Sequence, residues 1–324
     1  MEIIKIDKNS GIPLLGVLPF GIIDRYHNSM IQIRATTLCN ANCEFCSTDA
    51  GVNSRFHKIN YEVELDYLLE WFEYVAKLKK EKLTVFLDSV GEPLMYAKFL
   101  ELVKGIKESG LSERIVTVTN GILLDKKKII ELKKNGLDQI NLSLHTLDYE
   151  KGKKFFGMQN YDVDKIKETC IEIVKNGIEL WLVPVYLPGV NDKDIEEIIL
   201  FAKEINAKVG LQKYEKHKMG RKIKAKEETF FKFYRKLEEL EKKFDFKLVY
   251  KGNEFKIKKA ERVPVVFENN EKIQAIVKLE GWYSGQKIGV AKNRCVTILD
   301  CDKGINSRIN VIIKSHTDGI YLAK

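Results

Sequence analysis

The chain has 324 residues, of which 44% are hydrophobic and 31% charged, and its formal net charge is +9. This length exceeds one small domain and suits one large domain with an appendage. No apolar run approaches the roughly 18 to 20 residues that a membrane span needs, and the charged start has no signal-peptide apolar region. We therefore expect a globular cytoplasmic protein that does not bind a membrane.

Short β-branched runs alternate with longer amphipathic segments through the first two thirds of the chain. The predicted strands are Ile31–Ala35, Leu83–Leu87, Ile115–Thr119, Gln139–Leu144, Glu179–Tyr186 and Lys208–Gln212. The predicted helices include Glu62–Lys79, Lys126–Asn135, Asp164–Asn176 and Lys226–Phe244. Successive strand–helix units indicate an α/β fold with a parallel sheet and right-handed crossovers. The sheet is either open and doubly wound or curved into a partial barrel.

The last 70 residues have a different character, with short alternating segments separated by turns. The predicted strands here are Val263–Phe267, Ala275–Leu279, Cys295–Leu299, Asn310–Ile313 and Gly319–Leu322. This pattern is typical of a small C-terminal β-barrel. We accordingly predict two domains, residues 1–250 and 255–324.

Positive charge is concentrated in two places. Residues 255–324 contain 13 Lys and Arg against 7 Asp and Glu, a net charge of +6, and Lys213–Lys226 contains seven basic residues and one Glu. Segregated basic charge favours a polyanionic partner, because Lys and Arg release counterions from phosphates. The alternative is a solvated, lysine-rich surface.

Three cysteines, Cys39, Cys43 and Cys46, follow the first predicted strand with the spacing C-x₃-C-x₂-C. Thiolates this close in sequence can hold one iron–sulfur cluster and leave one iron open. Zinc is the main alternative, but it requires a fourth ligand, and the nearest histidine, His57, is eleven residues away. Disulfides do not suit a cytoplasmic chain. Of the other cysteines, Cys170 is expected in the core; Cys295 and Cys301 are core residues, a redox pair or part of a substrate site.

This loop resembles the cluster loop of the radical S-adenosylmethionine (SAM) superfamily, including an aromatic residue, Phe45, before the last cysteine. The resemblance implies a [4Fe–4S] cluster on Cys39, Cys43 and Cys46, whose open iron chelates SAM. An electron from the cluster then cleaves SAM to a 5′-deoxyadenosyl radical that abstracts hydrogen from the substrate. It also implies a partial (β/α)₆ barrel and an electron donor such as ferredoxin or flavodoxin.

The resemblance extends to the ends of the later strands, where ligands bind in parallel α/β folds. Gly91 and Glu92, in Val90-Gly91-Glu92-Pro93, resemble the motif that receives the SAM amino group, although Val90 replaces its first glycine. The other residues matched to SAM or substrate contacts are Asn120, Ser143, His145, Asn191, Gln212 and Tyr214. No residue is assigned a catalytic role beyond these.

The C-terminal segment resembles a TRAM domain, a barrel attached to several tRNA-modifying enzymes. Its likeness lies in Gly281-Trp282, Lys292-Asn293-Arg294 and the closing alternation Ile309–Ala323. Trp282 either stacks on a base or plugs the barrel end. The RNA-binding candidates are Lys213, Lys218, Arg221, Lys222, Trp282, Lys292 and Arg294.

Three functions remain open at this point. The first is radical modification of a tRNA nucleoside, for which methylation at an unreactive carbon is one candidate reaction. The second is radical chemistry on a peptide or small metabolite. The third is an RNA-binding iron–sulfur sensor without turnover. The oligomeric state is not predicted.

Overall fold

The structure is a computed structural model that describes residues 2–24, 27–57, 59–255 and 257–324, without the side chain of residue 253. Its contacts divide the chain into two compact units. Unit one comprises Met1–Cys39, Val52–Ile115 and Ile257–Lys324, and unit two comprises Asn40–Gly51 and Val116–Lys256. Within the described residues, no helix is long and apolar enough to cross a membrane. The predicted domain boundaries at residues 250 and 255 stay a prediction.

The first part of unit one holds the first strand–helix units. Its elements are β1 (Glu2–Ile6), β2 (Gly21–Asp24), β3 (Met30–Arg34), β4 (Ile59–Val63), α1 (Leu65–Lys79), β5 (Leu83–Leu87) and α2 (Phe99–Glu108). Strand β3 pairs in parallel with β5 and antiparallel with β2, and β1 pairs in parallel with β4. The sequence predicted a helix from residue 62, but residues 62 and 63 belong to β4 instead. Helix α1 begins after Glu64, whose carboxylate accepts the Tyr67 N–H.

Unit two continues the strand–helix alternation. Strand β6 (Ser112–Thr119) leads into it, followed by α3 (Lys126–Lys134), β7 (Gln139–Leu142), α4 (Tyr149–Phe156), α5 (Val163–Lys175), β8 (Glu179–Leu182), β9 (Val185–Tyr186), α6 (Asp192–Glu204), β10 (Lys208–Val209), β11 (Gln212–Lys213) and α7 (Phe230–Phe244). Neighbouring strands are parallel: β6 with β7, β7 with β8, β8 with β10, and β9 with β11. Predicted strands five and six are each interrupted, at Val183-Pro184 and at Gly210-Leu211. Pro184 has no N–H to donate and Gly210 has no side chain to pack, so both weaken a strand.

The C-terminal strands of unit one close into a five-stranded barrel. They are β12 (Lys272–Glu280), β13 (Lys287–Ala291), β14 (Arg294–Ile298), β15 (Arg308–Ser315) and β16 (Leu322–Ala323), in the order β12-β13-β14-β16-β15. The predicted strand Val263–Phe267 is wrong: it is not a strand, although Phe267 fills the barrel core. Strand β13 was missed because Gly289 interrupts its alternation; a Cβ there would lie 2.6 Å from Ile298 Cδ1.

The N-terminal segment of unit one packs directly on this barrel. The Cys295 N–H donates to the Leu15 carbonyl at 2.8 Å, and the Tyr321 N–H donates to the Gly16 carbonyl at 2.8 Å. Gly16 has a φ of 109°, and a Cβ there would lie 2.1 Å from the Cys295 carbonyl oxygen. Cys295 is fully buried, and its thiol donates to the Pro13 carbonyl at 3.1 Å. Cys295 is therefore a core residue, as is Cys170 on α5.

Candidate active site

The three cysteines of the loop after β3 are partly exposed, in contrast to the buried Cys170 and Cys295. The division between the two compact units falls between Cys39 and Asn40. The Sγ atom of Cys46 accepts a hydrogen bond from the Ala50 N–H at 3.3 Å and lies 3.4 Å from Thr48 Oγ1. Hydrogen bonds to the sulfur atoms are one way in which a protein sets the potential of an iron–sulfur cluster.

Helix α4 holds the middle of this loop within unit two. The Asn42 N–H donates to the Phe156 carbonyl at 2.9 Å, and the Glu44 N–H donates to the Phe155 carbonyl at 3.0 Å. Gly157 ends the helix in the left-handed region, and a Cβ there would lie 2.4 Å from the Asn42 carbonyl oxygen. The last turn of α4 thus satisfies two of its otherwise unpaired carbonyls on the loop backbone.

Arg221 holds the other end of the loop. Its Nε atom donates to Asp49 Oδ1 at 2.6 Å, and its guanidinium also donates to the carbonyls of Cys43 at 3.1 Å and Ala50 at 2.6 Å. Its backbone N–H donates to the Cys46 carbonyl at 2.8 Å. The side chain of Asp49 has no exposed surface. The predicted RNA contact by Arg221 is therefore corrected, because its donors are directed into the cluster loop.

The Gly91-Glu92 motif packs on the residues that precede Cys39, within unit one. The Glu92 N–H donates to the Leu38 carbonyl at 2.7 Å. A Cβ on Gly91 would lie 2.2 Å from that carbonyl oxygen, so this position requires glycine. Glu92 is buried, and one of its carboxylate oxygens accepts the Leu94 N–H at 3.1 Å. The SAM amine contact of Glu92 stays a prediction.

Phe45 lies in an aromatic and apolar cluster of unit two. Its ring meets His145 edge-on at a centroid distance of 4.9 Å and Phe155 at 5.6 Å. Burial lowers the pKa of His145 to about 3, so the imidazole is neutral at physiological pH. Its Nδ1 accepts the Val185 N–H at 3.1 Å, which places the proton on Nε2. His145 therefore has a fixed tautomer beside Phe45.

Asn191 is fully buried, and backbone groups occupy its polar atoms. Its Nδ2 donates to the Val185 carbonyl at 2.9 Å and the His145 carbonyl at 3.4 Å, and its Oδ1 accepts the Leu187 N–H at 2.8 Å. The predicted SAM or substrate contact by Asn191 is corrected on this ground. The residue instead fixes the turn between β9 and α6.

Several buried polar atoms near the loop have no hydrogen-bond partner within the described structure. They include Asn40 Nδ2 and the Tyr214 hydroxyl. Asn40 Oδ1 accepts from Asn120 Nδ2 at 2.7 Å, and Tyr214 packs in the same apolar cluster as Phe45. An unpaired buried polar atom costs about 1–3 kcal/mol, which a bound ligand offsets by accepting or donating a hydrogen bond. Within unit two, the thiols of Cys43 and Cys46 and these unpaired atoms fit a cluster with bound SAM.

Two further residues that were predicted to contact SAM or the substrate, Ser143 and Gln212, lie at or near the ends of strands. Ser143 is half-buried at the end of β7, where its N–H donates to the Thr119 carbonyl at 2.8 Å, and Gln212 is exposed on β11. Across the part of the chain that the structure describes, no group of three or more His, Cys, Asp or Glu side chains is gathered as a ready metal site. The ligand assignment of the three cysteines therefore stays a prediction.

Two further RNA candidates, Trp282 and Arg294, are buried. Trp282 is buried, with its ring 4.8 Å from His57 and 4.7 Å from Tyr283, so its ring is not available to stack on a base. Arg294 is buried and donates to the carbonyls of Asn293 at 2.9 Å and Pro264 at 3.2 Å. The RNA contacts predicted for Trp282 and Arg294 are corrected accordingly.

The four predicted lysines divide in the same way. Lys213 has a side chain only 8% exposed, and it forms ion pairs with Glu215 at 3.2 Å and Glu227 at 3.9 Å, which corrects its RNA role. Lys292 is exposed but pairs with Glu271 at 3.0 Å. Lys218 and Lys222 are exposed.

The sequence analysis did not identify Asp49 as a residue that holds the cysteine loop. The available signal was a short acidic residue two positions before Gly51.

Strand–helix alternation with a three-thiol loop after β3 defines the class of α/β iron–sulfur enzymes. The profile of the radical SAM superfamily matches residues 33–202, more than half of the chain. The protein belongs to the radical SAM superfamily, and a [4Fe–4S] cluster and SAM are its cofactors. The predicted fold class and cofactors are thereby confirmed.

Individual relatives agree with this assignment. An uncharacterized protein of Methanocaldococcus jannaschii is 33% identical over 98% of this chain and 79% of its own length. A probable GTP 3′,8-cyclase of Saccharolobus islandicus is 33% identical over 59% of this chain and 57% of its own, so the chain spans little more than half of that relative. A radical SAM methyltransferase from Sphaerobacter thermophilus has the same fold, with 15% identity, a TM-score of 0.55, and coverage of 68% of this chain and 65% of that one.

Proposed function

We propose that this protein is a radical SAM enzyme that modifies a nucleoside in RNA, with tRNA as the foremost substrate. The observation that carries the proposal is the closed five-stranded barrel, whose segment, residues 272–324, has nine Lys and Arg against four Asp and Glu, a net charge of +5. A barrel with this charge attracts phosphates and releases their counterions. Within unit two, Lys218 and Lys222, which follow the last parallel strand, are further exposed cations.

The proposal gives each of these residues a role. Cys39, Cys43 and Cys46 would hold the cluster, and Glu92 would receive the SAM amine. When bound, the cluster and SAM supply one-electron chemistry that activates a carbon–hydrogen bond no side chain could deprotonate. Arg221 keeps the cysteine loop in place, and the apolar cluster around Phe45 keeps water from that side of it. A protein electron donor such as ferredoxin or flavodoxin is part of this proposal.

A second candidate is radical chemistry on a nucleotide, a peptide or another small metabolite. The likeness to a probable GTP 3′,8-cyclase favours a nucleotide within this alternative, over the 59% of the chain that it matches. On this alternative, SAM cleavage is stimulated by the metabolite and is indifferent to RNA. The iron–sulfur sensor differs from both, because it predicts no sustained cleavage of SAM.

The deciding experiment compares the nucleosides of bulk tRNA from parent and gene-deletion strains by mass spectrometry. We expect one modified nucleoside to be missing in the deletion strain. The wild-type gene should restore it, and Cys43→Ala, which removes a proposed cluster ligand, should not. An unchanged nucleoside profile in tRNA and in all other RNA would refute the proposed function.

A further inference from the structure

The outer face of the β12–β15 pair carries four cations between Lys272 and Lys278 on β12 and between Arg308 and Lys314 on β15. On β12, Ile273, Ala275 and Val277 point into the barrel core, so the alternate positions face outward. Val311 and Ile313 fix the same alternation on β15. The eight outward residues, here named the β12–β15 face, are Lys272, Gln274, Ile276 and Lys278 on β12 and Arg308, Asn310, Ile312 and Lys314 on β15.

The register brings these side chains together across the two strands. Lys272 lies opposite Ile312, Gln274 opposite Asn310, and Ile276 opposite Arg308. Outward positions on one strand are about 7 Å apart, given a rise of roughly 3.3 Å per residue. The eight residues of the β12–β15 face are four cations, two amides and two isoleucines. Glu280, at the exposed end of β12 beyond the register shift between Val277 and Leu279, pairs with Lys287.

The cations of this face differ from the other barrel cations in their ion pairing. Within the described residues, none of its four cations has a carboxylate partner within 4.0 Å. Lys287 pairs with Glu280, Lys292 with Glu271, Lys303 with Asp302, and Lys324 with Asp300. Among the described barrel strands, the β12–β15 face is the one place where a group of cations has no carboxylate partner within 4.0 Å. Uncompensated cations on one surface repel one another, and an external polyanion relieves that repulsion.

A groove of about 690 Å³ borders this face. Ile276, Val290 and Ala291 form its apolar part, and Lys272, Gln274 and Arg308 supply polar side chains. Its one carboxylate, Glu271, is neutralised by Lys292 at 3.0 Å. The groove therefore offers an apolar surface with cations and an amide beside it.

We propose that the β12–β15 face and its groove form the RNA-binding surface of the barrel. Lys272, Lys278, Arg308 and Lys314 would contact phosphates, and the apolar part of the groove would take a ribose or the face of a base. This inference rests on the proposed function and replaces Trp282 and Arg294 as the barrel's RNA contacts. The charge complementarity favours RNA over a protein partner, because the eight residues of the face include four cations and no carboxylate or aromatic ring.

The test uses two double variants of the full-length, reconstituted protein that change the net charge equally. Lys272→Gln with Arg308→Gln alters the β12–β15 face, and Lys303→Gln with Lys324→Gln alters cations that are paired elsewhere on the barrel. Fluorescence anisotropy with labelled, unmodified tRNA gives the Kd at salt concentrations from about 0.05 M to about 0.5 M. Unfolding temperatures of the two variants show that both barrels are folded.

For the face variant we expect affinity to fall roughly tenfold near 0.15 M salt, and the slope of log K against log salt to flatten by about 1.4 for two lost phosphate contacts. The control variant should keep the wild-type slope. Equal loss in both variants, or no tRNA binding by the wild-type protein, would overturn the proposal. Normal binding by the face variant together with tRNA modification would retain the proposed function and move the RNA contact to Lys218 and Lys222. If the face variant flattens the slope of log K against log salt but the wild-type protein modifies no nucleoside, the β12–β15 face still binds RNA and the proposed function is refuted.

Discussion

The guanidinium of Arg221 is 2.6 Å from the carboxylate of Asp49, and the same guanidinium donates to the carbonyls of Cys43 and Ala50. One side chain thus links three points of the cysteine loop to the segment after β11. Asp49 has a φ of 57°, a region that non-glycine residues seldom adopt. The ion pair and the carbonyl contacts offset the cost of that backbone conformation.

Replacing Arg221 should therefore disorganise the cysteine loop. Arg221→Gln leaves the buried Asp49 charge without its partner, a change that costs about 3–5 kcal/mol. We expect less than half of the wild-type iron and sulfide per chain after anaerobic reconstitution, with a lower unfolding temperature. Lys222→Gln is the matched control, because the neighbouring Lys222 is exposed, and it should retain a full cluster. Equal cluster content in Arg221→Gln and Lys222→Gln would contradict this role.

The hydroxyl of Tyr214 should contribute to SAM binding. Tyr214→Phe removes a buried, unpaired hydroxyl and should leave the unliganded protein equally or more stable, while weakening SAM affinity by about 1–3 kcal/mol. Isothermal titration of SAM into the reconstituted protein measures this. Tyr234→Phe is the control, because Tyr234 lies on α7 with its side chain exposed to solvent. Loss of affinity in both variants, or in neither, would remove Tyr214 from the SAM site.

The close approach of Gly16 to the barrel should make this glycine essential. Gly16→Ala places a Cβ 2.1 Å from the Cys295 carbonyl oxygen, whereas Gly11→Ala has open space around it. Both glycines have positive φ, so alanine causes backbone strain at each position. The difference between the two variants therefore measures the steric clash at Gly16. We expect a fall in unfolding temperature several times larger for Gly16→Ala. Similar falls would mean that the N-terminal segment does not brace the barrel.

His145 should make the protein less stable in acid. Its pKa is about 3 in the folded state, below the ordinary value of 6.5, because burial disfavours the charged imidazole. The unfolded chain then binds the extra proton, so His145 destabilises the fold progressively as the pH falls from about 6.5 toward 3. Between pH 7 and pH 5 the free energy of unfolding should fall by about 2 kcal/mol from this residue. Denaturant titrations should show a smaller fall for His145→Gln; an identical pH dependence would contradict it.

Much of the catalytic fold was predictable, because each parallel strand is a short β-branched run next to an amphipathic helix. Strand β5 was predicted at its observed bounds, Leu83–Leu87. The long-range contacts were not predictable. Nothing in local sequence indicates that Arg221 reaches Asp49, or that Gly16 touches Cys295, because these depend on how distant segments pack. Basic residues were likewise predicted as RNA contacts from composition, which does not distinguish the buried Arg294 from the exposed Arg308.

The central claim, radical chemistry directed at RNA, is tested most directly by anaerobic turnover of the reconstituted protein with SAM, a reductant and bulk tRNA from a gene-deletion strain. We predict that tRNA stimulates the formation of 5′-deoxyadenosine and that one nucleoside changes mass in the same reaction. Cys43→Ala should yield neither product. Cleavage of SAM that tRNA leaves unchanged, with no altered nucleoside, would contradict the account.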